Sequence, residues 1–504
     1  MASPLPAEPV PVTAELAARS AMANDGHCGN WADFRRRLNG GRPFNMLAYG
    51  SSIVGGYGGC TRAVPGVCDQ SSCPNCCGLS CYPDRGWARD VFDEMNSSWP
   101  HADNALYSLG QPGGGLAETL SACMRDYVLQ LRIDVFLLDF AVTGNSAHLA
   151  AQLEVVVQML VHDQERLYGH RPLLVFTSFN YMEHSPAVAT SFDKILHRTR
   201  EVQAVAVRWG WPHWSPWPTY RHLSLAAKRS VWIADLLHPR TERPTTLVAV
   251  PIYLAIARGV HECAASAEPP RPSTADRVPP HWTCLRWKSN GTFAAAGSHV
   301  ASQFHVAGYD PAGWRNVTHE RGRGGLWRVK PGLRSDAPGT AWQLGLATSH
   351  ERFILRLEHL RSYEGYGAAL LSCLSGCACS SRLLNATTSD RVSVSTVADI
   401  PIRRTTAPAP AVPTKSCIVQ LRVVSPSFKV SSIAISGDVD LVQSHAFSDA
   451  RTWAGAAWMD ADNMMRGNGM HHSGAFNGQY GESKPAWVEA VERKRADGAV
   501  VRAS

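Results

Sequence analysis

Short apolar runs alternate with amphipathic stretches through the first half of the chain. Asn45 to Val54 (NMLAYGSSIV) starts with Met46, Leu47, Ala48 and Tyr49 and stops at Gly50-Ser51-Ser52. That pattern predicts a short buried strand followed by a tight turn. Gly86 to Asn96 carries Trp87, Val91, Phe92 and Met95 at helical spacing, and Ala105 to Leu109 is a second strand candidate. A helix follows over Leu116 to Leu131, then the run IDVFLLDFA from Ile133 to Ala141. Its nearly continuous apolarity suits a parallel strand covered on both faces. Ala150 to Gln164, Asp193 to Val207 and Thr245 to Val260 read as helices, and Leu173 to Phe179 as a strand. Strand and helix in alternation predict a mainly parallel sheet with helices on both faces.

The texture changes after Glu268 to Pro280 (EPPRPSTADRVPP), a Pro-rich linker that should be stiff and extended. Beyond it, Arg352 to Leu357, Arg391 to Val397, Cys417 to Val424 and Phe428 to Ile435 are short alternating segments with turn residues between them. This predicts a β-sandwich. The expected organisation is a flexible N-terminal segment over 1–41, an α/β domain over 42–265 and a linker over 266–280. A β-sandwich over 281–445 and a disordered tail over 446–504 complete it. The tail is rich in Gly, Asn, Met, His and charge and has no sustained apolar period.

Candidate chemistry begins at the end of the first strand. Ligands and catalytic groups collect at the carboxyl ends of an open parallel sheet, so a serine in the turn after Tyr49 can be an exposed nucleophile. The same residues also read as an ordinary Ser-rich turn. A serine hydroxyl needs a base to take its proton, and that base needs a carboxylate to fix its tautomer. Val231 to Pro239 (VWIADLLHP) supplies Asp235 and His238 at D-x-x-H spacing, late in the α/β half. A helix-capping Asp beside a surface His is the alternative. After the second strand, Gly110-Gln111-Pro112-Gly113-Gly114-Gly115 would let backbone N–H groups approach a ligand closely.

The serine turn and D-x-x-H together resemble the first and last blocks of the SGNH, or GDSL-type, esterases and lipases, over roughly residues 42 to 262. Gly50-Ser51-Ser52-Ile53 is similar to their G-D-S-L, with Ser51 in place of Asp. The resemblance implies a flavodoxin-like three-layer fold and a serine-dependent ester hydrolase, with Ser52, Asp235 and His238 as catalytic residues. It implies an oxyanion hole of the Ser52 N–H, a Gly N–H from the second block (Gly113, with Gly114 close behind) and an Asn side chain from the third. No metal or organic cofactor is implied. The third block departs from the family pattern G-x-N-D. Ala141-Val142-Thr143-Gly144-Asn145-Ser146 puts Thr143 at the Asn position without a gap, and Asn145 is the nearest amide. One oxyanion donor accounts for about 100- to 1,000-fold in rate, so this departure bears on activity more than on fold. Two other functions stay open: a polysaccharide O-acetyltransferase, and a carbohydrate-binding protein whose site has decayed. The substrate class expected is an ester, acylated carbohydrate included.

Composition narrows the setting. The chain has 504 residues and a net charge of +7, with no Lys/Arg block to call for nucleic acid. No run of about 18 apolar residues is present, so no membrane-spanning helix is expected. Fourteen cysteines and four N-x-S/T sequons, at Asn96, Asn290, Asn316 and Asn385, point to a secreted or lumenal glycoprotein, although no clear signal peptide is visible. Cys60, Cys68, Cys73, Cys76, Cys77 and Cys81 crowd an insertion over 60–81 directly after the serine. Disulfides or a zinc site would both suit that spacing. Cys373, Cys377, Cys379 and Cys417 are expected to make two disulfides in the sandwich. Trp209, Trp211, Trp214 and Trp217, among three prolines, are expected to pin a loop to the core, with sugar stacking as the alternative.

Overall fold

The structure, a computed structural model, describes residues 26–50, 86–110, 124–141, 149–179, 189–216, 245–263, 269–270, 282–287, 293–295, 304–309, 313–321, 327–362, 365–387, 394–405 and 417–439. The cysteine-rich insertion, most of the linker and the tail lie outside them.

Five parallel strands form the first sheet: β1 (Asn45–Gly50), β2 (Ala105–Gly110), β3 (Val135–Asp139), β4 (Leu173–Thr177) and β5 (His213–Trp214). Their order is β2-β1-β3-β4-β5, the flavodoxin-like doubly wound arrangement. All four longer strands are buried almost from end to end, as two-sided coverage requires. The covering helices are α1 (Ala32–Asn39), α2 (Trp87–Ser98), α3 (Met124–Leu129), α4 (Leu149–Tyr168), α5 (Ala189–Trp209) and α6 (Thr245–Glu262).

The block from Cys28 to Asn39, expected to be part of a flexible N-terminal segment, is instead a short 3-10 turn running into α1. Trp31, Phe34 and Leu38 are buried in the main core. Trp31 lies against α6 where that helix carries Gly259; a Cβ there would sit 2.4 Å from the indole. Asn30 donates to the carbonyls of Trp209 and Gly210 at 2.8 and 2.7 Å, and Cys28 is disulfide-bonded to Cys263, 235 residues away. The turn thus ties the start of the unit to the end of α6. Cross-links across long loops restrict the unfolded chain most, typically by about 2–4 kcal/mol. Replacing Cys28 and Cys263 together by Ser is therefore expected to lower the unfolding free energy by that order, read as a lower urea midpoint. An unchanged midpoint would count against it.

The amino-terminal edge of the sheet is closed by a charged network. The Asp134 carboxylate accepts from the Asn45 N–H at 2.9 Å and pairs with Arg37 and Arg132 at 3.2 and 3.3 Å. His170 Nε2 lies 2.9 Å from the Ile133 carbonyl, and burial pushes the imidazole pKa down. Gln164 accepts from the Ile133 N–H and donates to the Leu131 carbonyl. This end is built for pairing strands and leaves the opposite end for chemistry.

The second region is antiparallel. An eight-stranded sheet holds β6 (Thr283–Trp287), β7 (Phe293–Ala295), β9 (Trp314–Arg321), β10 (Trp327–Ser335), β12 (Arg352–Arg361), β14 (Cys377–Ala378), β16 (Val394–Arg404) and β18 (Phe428–Ser436). A five-stranded sheet, in the order β15-β13-β17-β11-β8, holds β8 (Phe304–Tyr309), β11 (Ala341–Leu346), β13 (Ala368–Ser375), β15 (Arg382–Asn385) and β17 (Cys417–Ser425). Alternate residues such as Phe353, Leu355 and Leu357 of β12 and Val419, Leu421 and Val423 of β17 build one shared core. The period of two seen in the sequence therefore marks the inward face. Cys373–Cys379 and Cys377–Cys417 are the two disulfides expected there. The Cys373, Cys377 and Cys417 sulfurs lie within 4.8 Å of one another, but all three are oxidised and so are not thiolate ligands.

The other face of the eight-stranded sheet is buried too. Trp282, Cys284, Ile354, Ala434 and Val439 join the apolar cluster of the parallel-sheet unit. Between them, Arg356 makes two 2.6 Å hydrogen bonds to Asp399 and lies 4.2 Å from the centre of the Trp282 ring. Among the described residues no helix is long and apolar enough to cross a membrane.

Candidate active site

The strand order reverses direction at β1, which has β2 on one side and β3 on the other. The carboxyl ends of β1 and β3 are thus the switch point, where open α/β sheets place ligands. The register brings the last residue of β1, Gly50, opposite Gly110 of β2 and Asp139 of β3. A Cβ at Gly50 would lie 2.2 Å from the Asp139 carbonyl oxygen. The backbones therefore meet more closely than any side chain permits, and glycine is required there for space. Gly50→Ala is expected to lower the unfolding midpoint and to disturb whatever follows β1. A midpoint equal to that of the native chain would contradict this.

Ser51 and Ser52 come directly after Gly50. Ser52, Gly113, Asn145, Asp235 and His238, all five site residues expected from the sequence, lie outside the described residues, as do Thr143 and Gly114. What is described is the set of strand ends from which the chain runs toward them. Gly113 follows the end of β2, Asn145 follows β3, and Asp235 and His238 fall between β5 and α6.

Beneath those ends lies an aromatic floor. Tyr49 meets Phe140 edge-on at 5.5 Å, and Phe179 packs between Trp87 at 5.0 Å and Trp214 at 5.4 Å. All five rings are buried. Burial raises the Tyr49 phenol pKa, so that group stays neutral. Trp209 and Trp211 are buried as well, so three of the four tryptophans expected to pin the loop do so; Trp217 lies outside the described residues. The two-residue strand β5 within this Trp- and Pro-rich stretch was not expected. It is too short to carry a period, and pairing to β4 rather than local pattern makes it a strand.

One Ser–His contact is present among the described residues. Ser178 Oγ lies 2.9 Å from His213 Nε2, linking the ends of β4 and β5. Both residues are fully buried. Burial lowers the His213 pKa to about 3, so the imidazole is neutral and a weak base. The pair is a structural strut and does not make a nucleophile.

His213 and His359 together predict an acid sensitivity. His359 is buried against Phe428, and its pKa is pushed down to about 4, mainly by burial. In the unfolded chain both imidazoles would take a proton near pH 6.5. Below that pH the unfolded state binds more protons than the folded one, so stability falls with pH. The loss runs from about 6.5 down to about 4 for His359 and to about 3 for His213. At about pH 5 each histidine accounts for a loss on the order of 2 kcal/mol. Urea unfolding at neutral pH and about pH 5 should show this, with a shallower dependence in His359→Gln. Equal midpoints at the two pH values would refute it.

A hollow of about 340 Å³ is bordered by Arg352, Phe353, Pro401, Arg403 and Val439. It takes no residue from the ends of the parallel strands.

No protein-family profile and no curated protein matches the chain. Solved structures do. A two-domain esterase active on acetylated mannans, co-crystallised with mannopentaose, superposes with a TM-score of 0.50 at 15% identity, covering 83% of this chain and 97% of that one. The crystal structure of a two-domain esterase of the same description, without mention of the oligosaccharide, gives 0.50 at 14% identity, covering 83% and 98%. The chain has an SGNH/GDSL esterase-type fold. A GDSL-like lipase from Parabacteroides merdae is similar over 42% of this chain and 95% of its own, at 13% identity and a TM-score of 0.34. The coverage by the two-domain esterase takes in both the SGNH-type unit and the sandwich, so the likeness extends to the pairing of the two.

Proposed function

We propose that this chain is a serine-dependent hydrolase that cleaves an acyl ester, with an acylated carbohydrate as the substrate class. The observation that carries this reading is the end of β1. It lies at the switch point of an SGNH-type sheet and runs directly into Ser51-Ser52. In this reading Ser52 Oγ attacks the ester carbonyl while His238 takes its proton. Asp235 holds the imidazole and stabilises its charged form. The oxyanion accepts hydrogen bonds from the backbone N–H groups of Ser52 and Gly113, with Asn145 as the side-chain donor. Collapse expels the alcohol, protonated by His238, and leaves an acyl-enzyme. Water then releases the acid by the same route.

The carbohydrate part rests on the likeness to the acetylated-mannan esterase in both units. The disulfides suit passage through an oxidising compartment, and a secreted or lumenal location belongs to the same proposal. The test is acetate release from acetylated manno-oligosaccharides and from a short-chain aryl ester, with and without added sugar acceptor. Acetate release without an acceptor supports the hydrolase. Acetyl transfer that needs the acceptor would replace it by an acetyltransferase. Glycan binding without turnover would replace it by a decayed binding protein, the outcome the altered third block favours.

A further inference from the structure

We propose that Asn385 carries an N-linked oligosaccharide in the mature protein. Its sequon, Asn385-Ala386-Thr387, closes β15, the edge strand of the five-stranded sheet. Asn385 and Thr387 are exposed while Ala386 between them is fully buried. Two backbone hydrogen bonds hold that middle residue: Ala386 N–H donates to Gly367 at 2.7 Å and its carbonyl accepts from Ser362 at 2.9 Å. The turn is thereby fixed with both sequon side chains facing solvent.

Within it, the Thr387 N–H and hydroxyl both donate to Asn385 Oδ1, at 2.9 and 2.7 Å. Both bonds fall on the oxygen, and among the described residues Nδ2 donates to nothing. Nδ2 is the atom that takes the sugar. Asn96, by contrast, sits inside α2 and is only partly exposed, while Ser98 of the same sequon is bonded to the Tyr253 hydroxyl. Asn316 lies within paired β9, opposite Leu333.

The donor is an oligosaccharide carried on a lipid pyrophosphate. The bond that forms joins Asn385 Nδ2 to the anomeric carbon. The bond that breaks is that carbon's link to pyrophosphate, which leaves with the electron pair as Nδ2 gives up one proton. The position also has a structural use. Leu383, 60% exposed, shares the outer face with Asn385 two residues earlier. A glycan there covers the exposed Leu383 on an edge strand, the kind of surface that otherwise templates aggregation.

The test is translation of the full chain behind a cleavable secretory leader in the presence of microsomes, reading the protease-protected product by gel mobility and peptide mapping. The expected result is a glycosidase-sensitive shift that falls by one step in both Asn385→Gln and Thr387→Ala and is kept in Thr387→Ser. The shift is set on the lumenal chain, so a variant that folds poorly still reports. A protected Asn385→Gln chain with the mobility of the native one, or a native Asn385 peptide recovered unmodified, would overturn the proposal.

Discussion

Ser52→Ala is expected to reduce turnover of a short-chain aryl ester by about 10,000-fold or more while leaving the urea midpoint of unfolding unchanged. The size of the effect follows from what the hydroxyl does. Without Oγ no acyl-enzyme forms, and the remaining site offers only binding and an oxyanion hole. His238→Ala should cost about as much as Ser52→Ala, and the double variant little more, because the two act as one unit. Asp235→Asn should fall by about 10,000-fold through the wrong imidazole tautomer. Asn145→Ala separates two versions of the third block. A loss of about 100- to 1,000-fold would make Asn145 an oxyanion donor; no loss, with a loss at Thr143→Ala, would move that role to Thr143. Turnover by Ser52→Ala within tenfold of the native chain would remove the serine from the mechanism.

The largest expected effect on stability lies on the buried outer face of the eight-stranded sheet. Arg356 and Asp399 are only 1% and 5% exposed and are joined by two short hydrogen bonds. Asp399→Ala leaves a guanidinium buried without its carboxylate, and breaking such a pair typically costs about 3–5 kcal/mol. Replacing both partners with apolar residues of similar volume, Arg356→Met with Asp399→Leu, removes the stranded charge and should recover most of the loss. Urea unfolding of the single and double variants gives the comparison. A single variant as stable as the native chain would mean that this face is open to water.

These two predictions stand on different ground, and the sequence explains why. The four longer parallel strands were legible because each is a short, nearly unbroken apolar run, and the helices because their apolar residues recur on one face. The sandwich strands were legible from alternation, since only one face of β12 or β17 points into the sandwich core. The helical turn at 28–39 was not, because a Pro- and Ala-rich stretch precedes it. Its order comes from tertiary contacts, the disulfide to Cys263 and Trp31 against Gly259. The ion pair was hidden for a similar reason: Arg356 and Asp399 read as solvent-facing alternates until the second face proves to be buried.

The candidate site shows the opposite balance. Ser52, Asp235 and His238 are proposed from motif and spacing alone and lie outside the described residues; the structure contributes the frame of strand ends from which the chain runs on toward them. That frame is the switch point, the aromatic floor under the strand ends and the close contact at Gly50. The Ser178–His213 contact shows why motif and burial have to be weighed together. By distance it looks like a nucleophile and its base, yet full burial and a depressed pKa leave it inert.

In the proposed mechanism Ser52 is an activated nucleophile. The most direct measurement is labelling of the folded native chain with a fluorophosphonate, followed by peptide mapping of the adduct. A single phosphonylated residue, Ser52, is expected, with labelling abolished in His238→Ala as well as in Ser52→Ala. A folded chain that takes no label, or takes it at Ser51 or another serine with Ser52 unmodified, would contradict it.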